Sequence, residues 1–364
     1  MPSFWEIALS DEPADGLNPG PQVGETSGSS IPCAVPREES VFEPRRDRYG
    51  WRLALVFGNH APGGLCPYYA GNRCFHCDIG AGEGAAFDHT TNRQRLAWFR
   101  AHYQLHLASI SHLVLYNSGS LLNPREMPPD LLDEIAAFAR SLPAVRVVSL
   151  DSREAFIRPD TLRRILLILG NGYMVRPILG VETADDRIRN EVLQKGMPRT
   201  AIARVFLDLS TLAAEFGQER IGLDVNIVIA GPGTTDLTVV DDAVMTARLA
   251  LISGAQHGVK VDLNLHPYYV GPRGSARFPD HGRCSLATTV RACSKIVDLV
   301  RSMATDSSIF IGWQDEGHDR ERQPRHIEIA RTAFDRFNQT NDAGALNGLE
   351  QPFGLDVGQF SEQT

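Results

Sequence analysis

The chain has 364 residues, of which 43% are hydrophobic and 22% are charged, an ordinary composition for a globular protein. Its 36 basic and 44 acidic side chains give a formal net charge of -8, which excludes a global positive field for holding nucleic acid. No apolar run reaches the roughly 18 residues that a membrane-spanning helix needs, and the N-terminus lacks a signal-peptide pattern. We therefore expect a cytoplasmic protein.

The first part of the chain differs in composition from the rest. Residues 1–48 are rich in Pro, Gly, Ser and Glu and show no sustained helical or strand period. Such a segment buries too little apolar surface to offset its ordering entropy, so it is predicted to be a flexible leader. The remaining predicted units are a barrel core at 49–303, a C-terminal extension at 304–345 and a loose tail at 346–364.

From Trp51 onward, short apolar or β-branched runs alternate with longer amphipathic segments, which is the pattern of an α/β fold. The predicted strands are 52–57, 112–116, 146–150, 174–180, 222–229 and 260–265. The predicted helices are 92–108, 129–141, 159–169, 184–194, 198–216, 236–253 and 286–303.

Connections that contain a helix join parallel strands through right-handed crossovers. We therefore predict a partial (β/α)6 TIM-type barrel of parallel strands, open on one side, in preference to a doubly wound flat sheet. In such folds the ligands bind at the carboxyl ends of the strands. The segments that follow the six predicted strands are polar or glycine-rich: GNHAPGGLC, NSGS, DSR, ET, AGPGTT and HPYYVGPRGS. They are expected to converge on one mouth.

The stretch CPYYAGNRCFHC gathers Cys66, Cys74 and Cys77 after the first predicted strand. Three clustered cysteines among six favour metal ligation over a disulfide framework. Structural zinc takes four ligands, for which His60 or His76 is a candidate, and a zinc-stabilised binding module without catalysis is the alternative interpretation. An iron–sulfur cubane on three thiolates leaves one iron open to another ligand, which explains an incomplete set better.

This loop resembles the cluster loop of the radical S-adenosylmethionine (SAM) superfamily. The usual spacing is CxxxCxxC, whereas seven residues separate Cys66 from Cys74 here. His76 follows Phe75 where an aromatic residue normally precedes the last cysteine. Lengthened first gaps occur in the branch that includes the Elongator catalytic subunit and the radical subunit of archaeosine synthase. The resemblance covers roughly residues 50–280.

Two further segments resemble SAM-binding motifs of this branch. LVLYNSGSLLN is similar to the turn that receives the amino group of SAM, with Ser118, Gly119 and Ser120 in place. SLDSREAFI is similar to its E-S/T-R-P segment, with Asp151 in place of the glutamate and Arg153 in register. The resemblance implies that Asp151 meets the ribose hydroxyls.

LGVETADDRIRNEVLQKG is the most distinctive match outside the cysteines. By resemblance, Glu182 faces the ribose of SAM and Lys195 binds its methionyl carboxylate. Both residues also suit the ends of a helix, where charges of these signs are favoured. Gly231, in AGPGTT, falls in the turn that contacts adenine in similar enzymes. His266, Tyr268, Tyr269 and Arg273, in HPYYVGPRG, are candidates for contacting the substrate.

The resemblance implies a reaction as well as a fold. A reduced 4Fe-4S cluster would cleave SAM to methionine and a 5′-deoxyadenosyl radical that abstracts a substrate hydrogen, with an electron donor such as flavodoxin or ferredoxin. The acidic charge balance and the lack of an RNA-binding extension favour a small molecule or peptide as substrate over tRNA. The class of the overall reaction stays open.

Overall fold

The structure is a computed structural model that describes residues 44–61, 64–77, 89–235, 237–312 and 324–349. Most of the predicted leader and tail lies outside these ranges. The centre of the fold is one sheet of eight strands, arranged in the order in which they occur along the chain. The strands are Arg45–Asp47 (β1), Gly50–Phe57 (β2), Ile110–Asn117 (β3), Val147–Asp151 (β4), Met174–Glu182 (β5), Gly222–Ile229 (β6), Lys260–Pro267 (β7) and Ile309–Ile311 (β8).

Neighbouring strands from β2 to β8 pair in parallel, and β1 pairs antiparallel with β2. The helices are Pro67–Ala70 (α1), His89–His102 (α2), Gln104–Leu107 (α3), Pro129–Ser141 (α4), Pro159–Leu169 (α5), Arg199–Phe216 (α6), Val239–His257 (α7), Pro272–Arg277 (α8), Leu286–Ser302 (α9) and Pro324–Thr340 (α10). All six predicted strands are present, and β8 adds a seventh parallel strand.

Local sequence signals explain where these helices begin and end. The residues that α4 buries recur at helical spacing and form one apolar stripe: Leu131, Leu132, Ile135, Ala136, Phe138 and Ala139. In α5, Pro159 occupies the first helical position, where its missing N–H is not needed. The chain leaves α5 at Gly170, whose φ of 77° is a conformation that glycine adopts at little cost.

The sheet curls into a nearly closed barrel, which confirms the predicted fold class. Two contacts join the β2 side of the sheet to its β7–β8 side. Tyr49, just before β2, donates to Oδ2 of Asp262 on β7 at 2.5 Å. The guanidinium of Arg52 on β2 lies 4.3 Å from the ring centroid of Phe310 on β8.

Strand residues alternate between two environments. Leu53, Leu55 and Phe57 of β2 belong to the large core between sheet and helices. Ala54 points the other way and packs inside the barrel with Val114 and Ile178. The barrel interior is therefore built in layers.

A buried polar network lies in the barrel below that apolar layer. Arg176 of β5 forms ion pairs with Asp224 of β6 at 2.7 Å and with Asp262 of β7 at 2.6 Å. Ser149 of β4 donates to Asp224 at 2.6 Å and contacts His112 of β3 at 2.8 Å. These contacts join β3 to β7 across the interior, so that the barrel is closed at its amino-terminal end by paired charges.

Three features differ from the sequence prediction or add to it. β1 lies inside the range assigned to the leader, and the sequence did not predict it. The helix predicted at 184–194 is a short π-helix, Ile188–Val192. Leu346 and Leu349, at the start of the predicted tail, are buried. Across the described ranges, no helix combines the length and the apolar character needed to cross a membrane.

Candidate active site

A cavity of about 210 Å³ opens among the carboxyl ends of the parallel strands. This is the position at which parallel α/β folds bind their ligands. Most of the predicted site residues line it together. They are Cys66, Cys74, Cys77, Gly119, Ser120, Asp151, Arg153, Glu182 and Lys195.

The loop after β2 carries the three clustered cysteines as half-buried free thiols. Cys74 has a φ of 54°, a left-handed conformation that is uncommon outside glycine. Its N–H donates to the carbonyl of Gln194 at 3.3 Å. The N–H of Phe75 donates to the carbonyl of Leu193 at 3.0 Å. The cysteine loop is therefore fixed by its backbone to the segment that follows β5.

Glu182 ends β5 with a φ of 66° and buries its carboxylate at the cavity wall. Lys195 Nζ donates to Glu182 Oε1 at 2.7 Å, and His76 Nε2 lies 3.5 Å from the same oxygen. Burial opposes the charge on Glu182, but the Lys195 ammonium and His76 outweigh it, so the pKa of Glu182 is lowered. Burial lowers the pKa of His76. The group is thus a buried ion pair with a neutral imidazole beside it.

Arg153 connects the cysteine loop to Lys195 of the Glu182–Lys195 pair. Its guanidinium lies 3.5 Å from the ring centroid of Tyr68 and donates to Sγ of Cys74 at 3.3 Å. It also donates to the carbonyl of Lys195 at 2.7 Å and lies 3.3 Å from the Glu154 carboxylate. The planar, multi-donor guanidinium suits such a bridging position. Arg153 therefore holds the loop and the strand end in register.

Asp151 ends β4 and faces the cavity. Burial raises its pKa, Lys195 opposes the shift and Glu182 adds to it, and the net effect is a pKa of about 8. Near neutral pH the carboxyl is therefore protonated to a large extent. A neutral carboxyl can donate a hydrogen bond as well as accept one, which an ionised carboxylate cannot.

The turn after β3 is organised by Glu126, which the sequence analysis missed. Its Oε2 accepts from the N–H of Ser120 at 2.9 Å and from Asn59 Nδ2 at 2.8 Å, and its Oε1 accepts from Asn123 Nδ2 at 2.5 Å. A Cβ added to Gly119 would overlap Glu126 Oε2. Only glycine fits that position. The sequence signal for Glu126 was weak, because it is a single acid in a loop with partners far apart in the chain.

Two of the predicted residues do not line the cavity. Ser118 is buried, and its carbonyl accepts from Asn59 at 3.3 Å. Gly231 follows β6 outside the lining. At the end of β7, His266, Tyr268 and Tyr269 line the cavity, whereas Arg273 does not.

The three thiols share one cavity, although among the described residues no three Cys, His, Asp or Glu side chains are close enough to hold a metal ion as they stand. Cys66 and Cys74 are neighbours: burial raises the pKa of the Cys66 thiol, and Cys74 adds to the shift. Three thiols without a fourth cysteine are a donor set that suits an iron–sulfur cluster, since thiolates are its usual ligands. The residues therefore fit such a group by their chemistry.

No family model and no curated protein matches the sequence. Among solved structures, a queuine lyase from Clostridium spiroforme bound to SAM and queuine matches with 14% sequence identity. The match covers 63% of this chain and 84% of that chain, with a TM-score of 0.39. A TM-score at this level is too low to carry an activity or a ligand over to this chain.

Proposed function

We propose that this protein is a radical SAM enzyme. The observation that carries the proposal is the placement of the thiols of Cys66, Cys74 and Cys77 on the cavity that also holds the Glu182–Lys195 pair. A thiol-rich loop and a buried, charged SAM-binding wall are both required for this chemistry. In this chain the three thiols and the buried Glu182–Lys195 pair line the same cavity at the carboxyl ends of the strands.

The three cysteines would hold a 4Fe-4S cluster with one iron open. When bound, that cluster supplies the electron that cleaves SAM, with a flavodoxin or ferredoxin as the proposed donor. The protein contributes orientation and a cavity shielded from water. The thiols must lose their protons on binding. Arg153 contributes a positively charged donor beside them, at 3.3 Å from Cys74 Sγ.

The remaining lining residues offer complementary groups to SAM. Lys195 uses one N–H for Glu182 and retains others for the methionyl carboxylate, since an ammonium has three. Glu182 can accept from ribose hydroxyls, and Asp151, largely neutral, can donate or accept there. The turn at Ser120, held by Glu126, is proposed to receive the amino group. The substrate proposed on charge grounds is a small molecule or a peptide.

The test is anaerobic reconstitution with iron and sulfide, followed by incubation with SAM and a reductant. A brown protein with bound iron that forms 5′-deoxyadenosine is the expected result. Cys66→Ala, Cys74→Ala and Cys77→Ala should each lose iron and product. Cys284→Ala is the matched control, because Cys284 is a buried cysteine outside the cavity lining.

Two outcomes would overturn the proposal. One is a protein that stays colourless and iron-free after reconstitution. The other is a Cys74→Ala variant that forms as much 5′-deoxyadenosine as the native chain. Tight zinc binding that depends on the same cysteines, without iron uptake, would favour the zinc-stabilised binding module instead.

A further inference from the structure

The inner end of the cavity is lined by a separate set of polar residues that the SAM-binding proposal does not use. Arg52 of β2, Asn226 of β6 and Asn264 of β7 face the barrel interior, together with Phe310 of β8. Asn226 and Asn264 are partners in the β6–β7 register, and Asn264 is opposite Phe310 in β8. We call these four residues the cavity floor. They lie nearer the amino ends of their strands than Glu182, which ends β5.

Arg52 differs from the other two cations that line the cavity. Lys195 is paired with Glu182 at 2.7 Å, and Arg153 is paired with Glu154 at 3.3 Å. Arg52 instead stacks on the ring of Phe310 at 4.3 Å. Within the part of the chain that the structure describes, no ion pair or hydrogen bond joins Arg52 to a carboxylate. Burial opposes the charge on Asp47, but His112, paired with it at 2.6 Å, and Arg52 outweigh burial and lower the pKa of Asp47, which lies outside the cavity lining. Among the described groups that line the cavity, no carboxylate pairs with Arg52.

The stacking on Phe310 also orients this charge. A guanidinium that lies on an aromatic ring keeps its edge N–H groups available, and the contact limits the conformations of a long side chain. Arg52 is half-buried, so an anion bound there would be partly shielded from water. Both conditions favour bidentate recognition of carboxylate or phosphate oxygens.

The two asparagines add neutral donors beside this cation. Asn264 Nδ2 donates to Asn226 Oδ1 at 3.0 Å. Because an amide carries two N–H groups, this single bond leaves further N–H donors on both side chains facing the cavity. The carboxylates beneath them, Asp224 and Asp262, are already paired with Arg176. A cation next to several N–H donors is a pattern that suits an anion.

We propose that the cavity floor binds an anionic group of the substrate, a carboxylate or a phosphate, through Arg52, Asn226 and Asn264. This inference rests on the proposed function, in which SAM occupies the outer part of the cavity at the cysteines, Glu182 and Lys195. This contact between the cavity floor and the anionic group would set which end of the substrate faces the reacting position. Substrates without an anionic group would be bound poorly.

The test measures anion binding directly, apart from turnover. Inorganic phosphate and succinate are titrated calorimetrically into the native protein and into Arg52→Gln and Arg52→Lys. At least one anion should bind, and the anion preferred identifies the group as phosphate or carboxylate. Arg52→Gln should weaken that binding at least tenfold, and Arg52→Lys should lie between. Arg291→Gln, which removes an exposed charge from α9, should leave binding unchanged.

A second variant keeps the test decisive if Arg52→Gln fails to fold. Asn264→Asp is isosteric and puts a negative charge on the floor, so it should abolish anion binding while far-UV circular dichroism stays native. Binding of neither anion, or equal affinity in the native, Arg52→Gln and Asn264→Asp proteins, would overturn the inference.

SAM binding, measured in the same proteins, separates this inference from the proposed function. Arg52→Gln should bind SAM as the native protein does. A parallel loss of SAM affinity would show that the floor belongs to the SAM site, and the inference would be wrong. A protein that binds anions through Arg52 but never takes up iron or SAM would support anion binding by the cavity floor. The same result would contradict the radical SAM proposal.

Discussion

Lys195 Nζ donates to Glu182 Oε1 at 2.7 Å, and both side chains are buried at the end of β5. The pair packs against Gly180, where an added Cβ would overlap Glu182 Oε1 and lie 2.9 Å from Lys195 Nζ. Burial opposes the charge on Lys195, but the Glu182 carboxylate outweighs it and raises the pKa of the lysine. Each charge therefore depends on the other.

Glu182→Gln should be strongly destabilising, because it leaves the Lys195 ammonium buried without its counter-charge. Breaking a buried pair on one side costs roughly 3–5 kcal/mol in the free energy of unfolding. Urea denaturation at neutral pH measures this loss. Glu215→Gln is the control, since Glu215 forms an exposed ion pair with Arg163 at 2.8 Å and its loss should change the midpoint far less.

The pH dependence of the Glu182→Gln effect has a defined sign. The pKa of Glu182 is lowered in the folded protein, so its contribution to stability is present above its ordinary value of 4.5 and is lost as the pH falls below it. The difference between native and variant proteins should therefore shrink in acid. A difference that grows as the pH falls below that value would contradict the assigned ion pair.

Asp151→Asn should have the opposite dependence on pH. Burial raises the pKa of Asp151 from 3.8 to about 8, so the folded state retains a proton that the unfolded state releases in this range. The free energy of unfolding of the native protein therefore falls as the pH rises from 3.8 to about 8, by at most roughly 1.4 kcal/mol per pH unit. The variant cannot ionise at this position, so its stability relative to the native protein should rise from acid to about pH 8.

Urea denaturation across this window checks the prediction for Asp151. Asp160→Asn is the matched control, because the Asp160 side chain is 98% exposed and should show no comparable trend. A constant difference between Asp151→Asn and the native protein at every pH would show that the Asp151 carboxyl is ionised in the folded state.

Gly119→Ala should damage the turn after β3, because the new Cβ would overlap Glu126 Oε2 and approach Asn59 Nδ2 to 2.6 Å. Overpacking of this kind typically costs about 1–3 kcal/mol. SAM affinity should fall with it, since Glu126 fixes the N–H of Ser120. Gly282→Ala is the control, where an added Cβ meets nothing within 4 Å. Equal stability and SAM binding in both variants would refute a packing role for Gly119.

Much of the fold follows from local patterns in the sequence. The alternation of β-branched runs with amphipathic stripes predicted each strand from β2 to β7, and proline and glycine marked both ends of α5. The cysteine loop and Glu182 were identifiable because their motifs are contiguous. The antiparallel strand β1 was not, because Arg45–Asp47 is short and charged and is defined only by its pairing with β2.

The parts that the sequence could not predict depend on contacts between distant residues. Arg176 and Asp262 are 86 positions apart in the chain and meet across β6, which separates their strands in the sheet. Glu126 meets Asn59 because β2 and β3, which precede them, are neighbours in the sheet. A single sequence shows a charged residue in a strand but not its partner, so both networks needed the three-dimensional structure.

Arg176→Met should test how the closed end of the barrel is held together. It removes the cation between Asp224 and Asp262 and leaves two buried carboxylates facing each other, at a cost of roughly 3–5 kcal/mol. Adding Asp224→Asn should restore part of that loss, because one stranded carboxylate is removed and contacting residues are not additive. Urea denaturation of both single variants and the double variant measures the coupling between Arg176 and Asp224. Arg204→Met is the control, because the Arg204 side chain is 59% exposed. If the double variant is destabilised by the sum of the two single losses, Arg176 and Asp224 do not act as a pair.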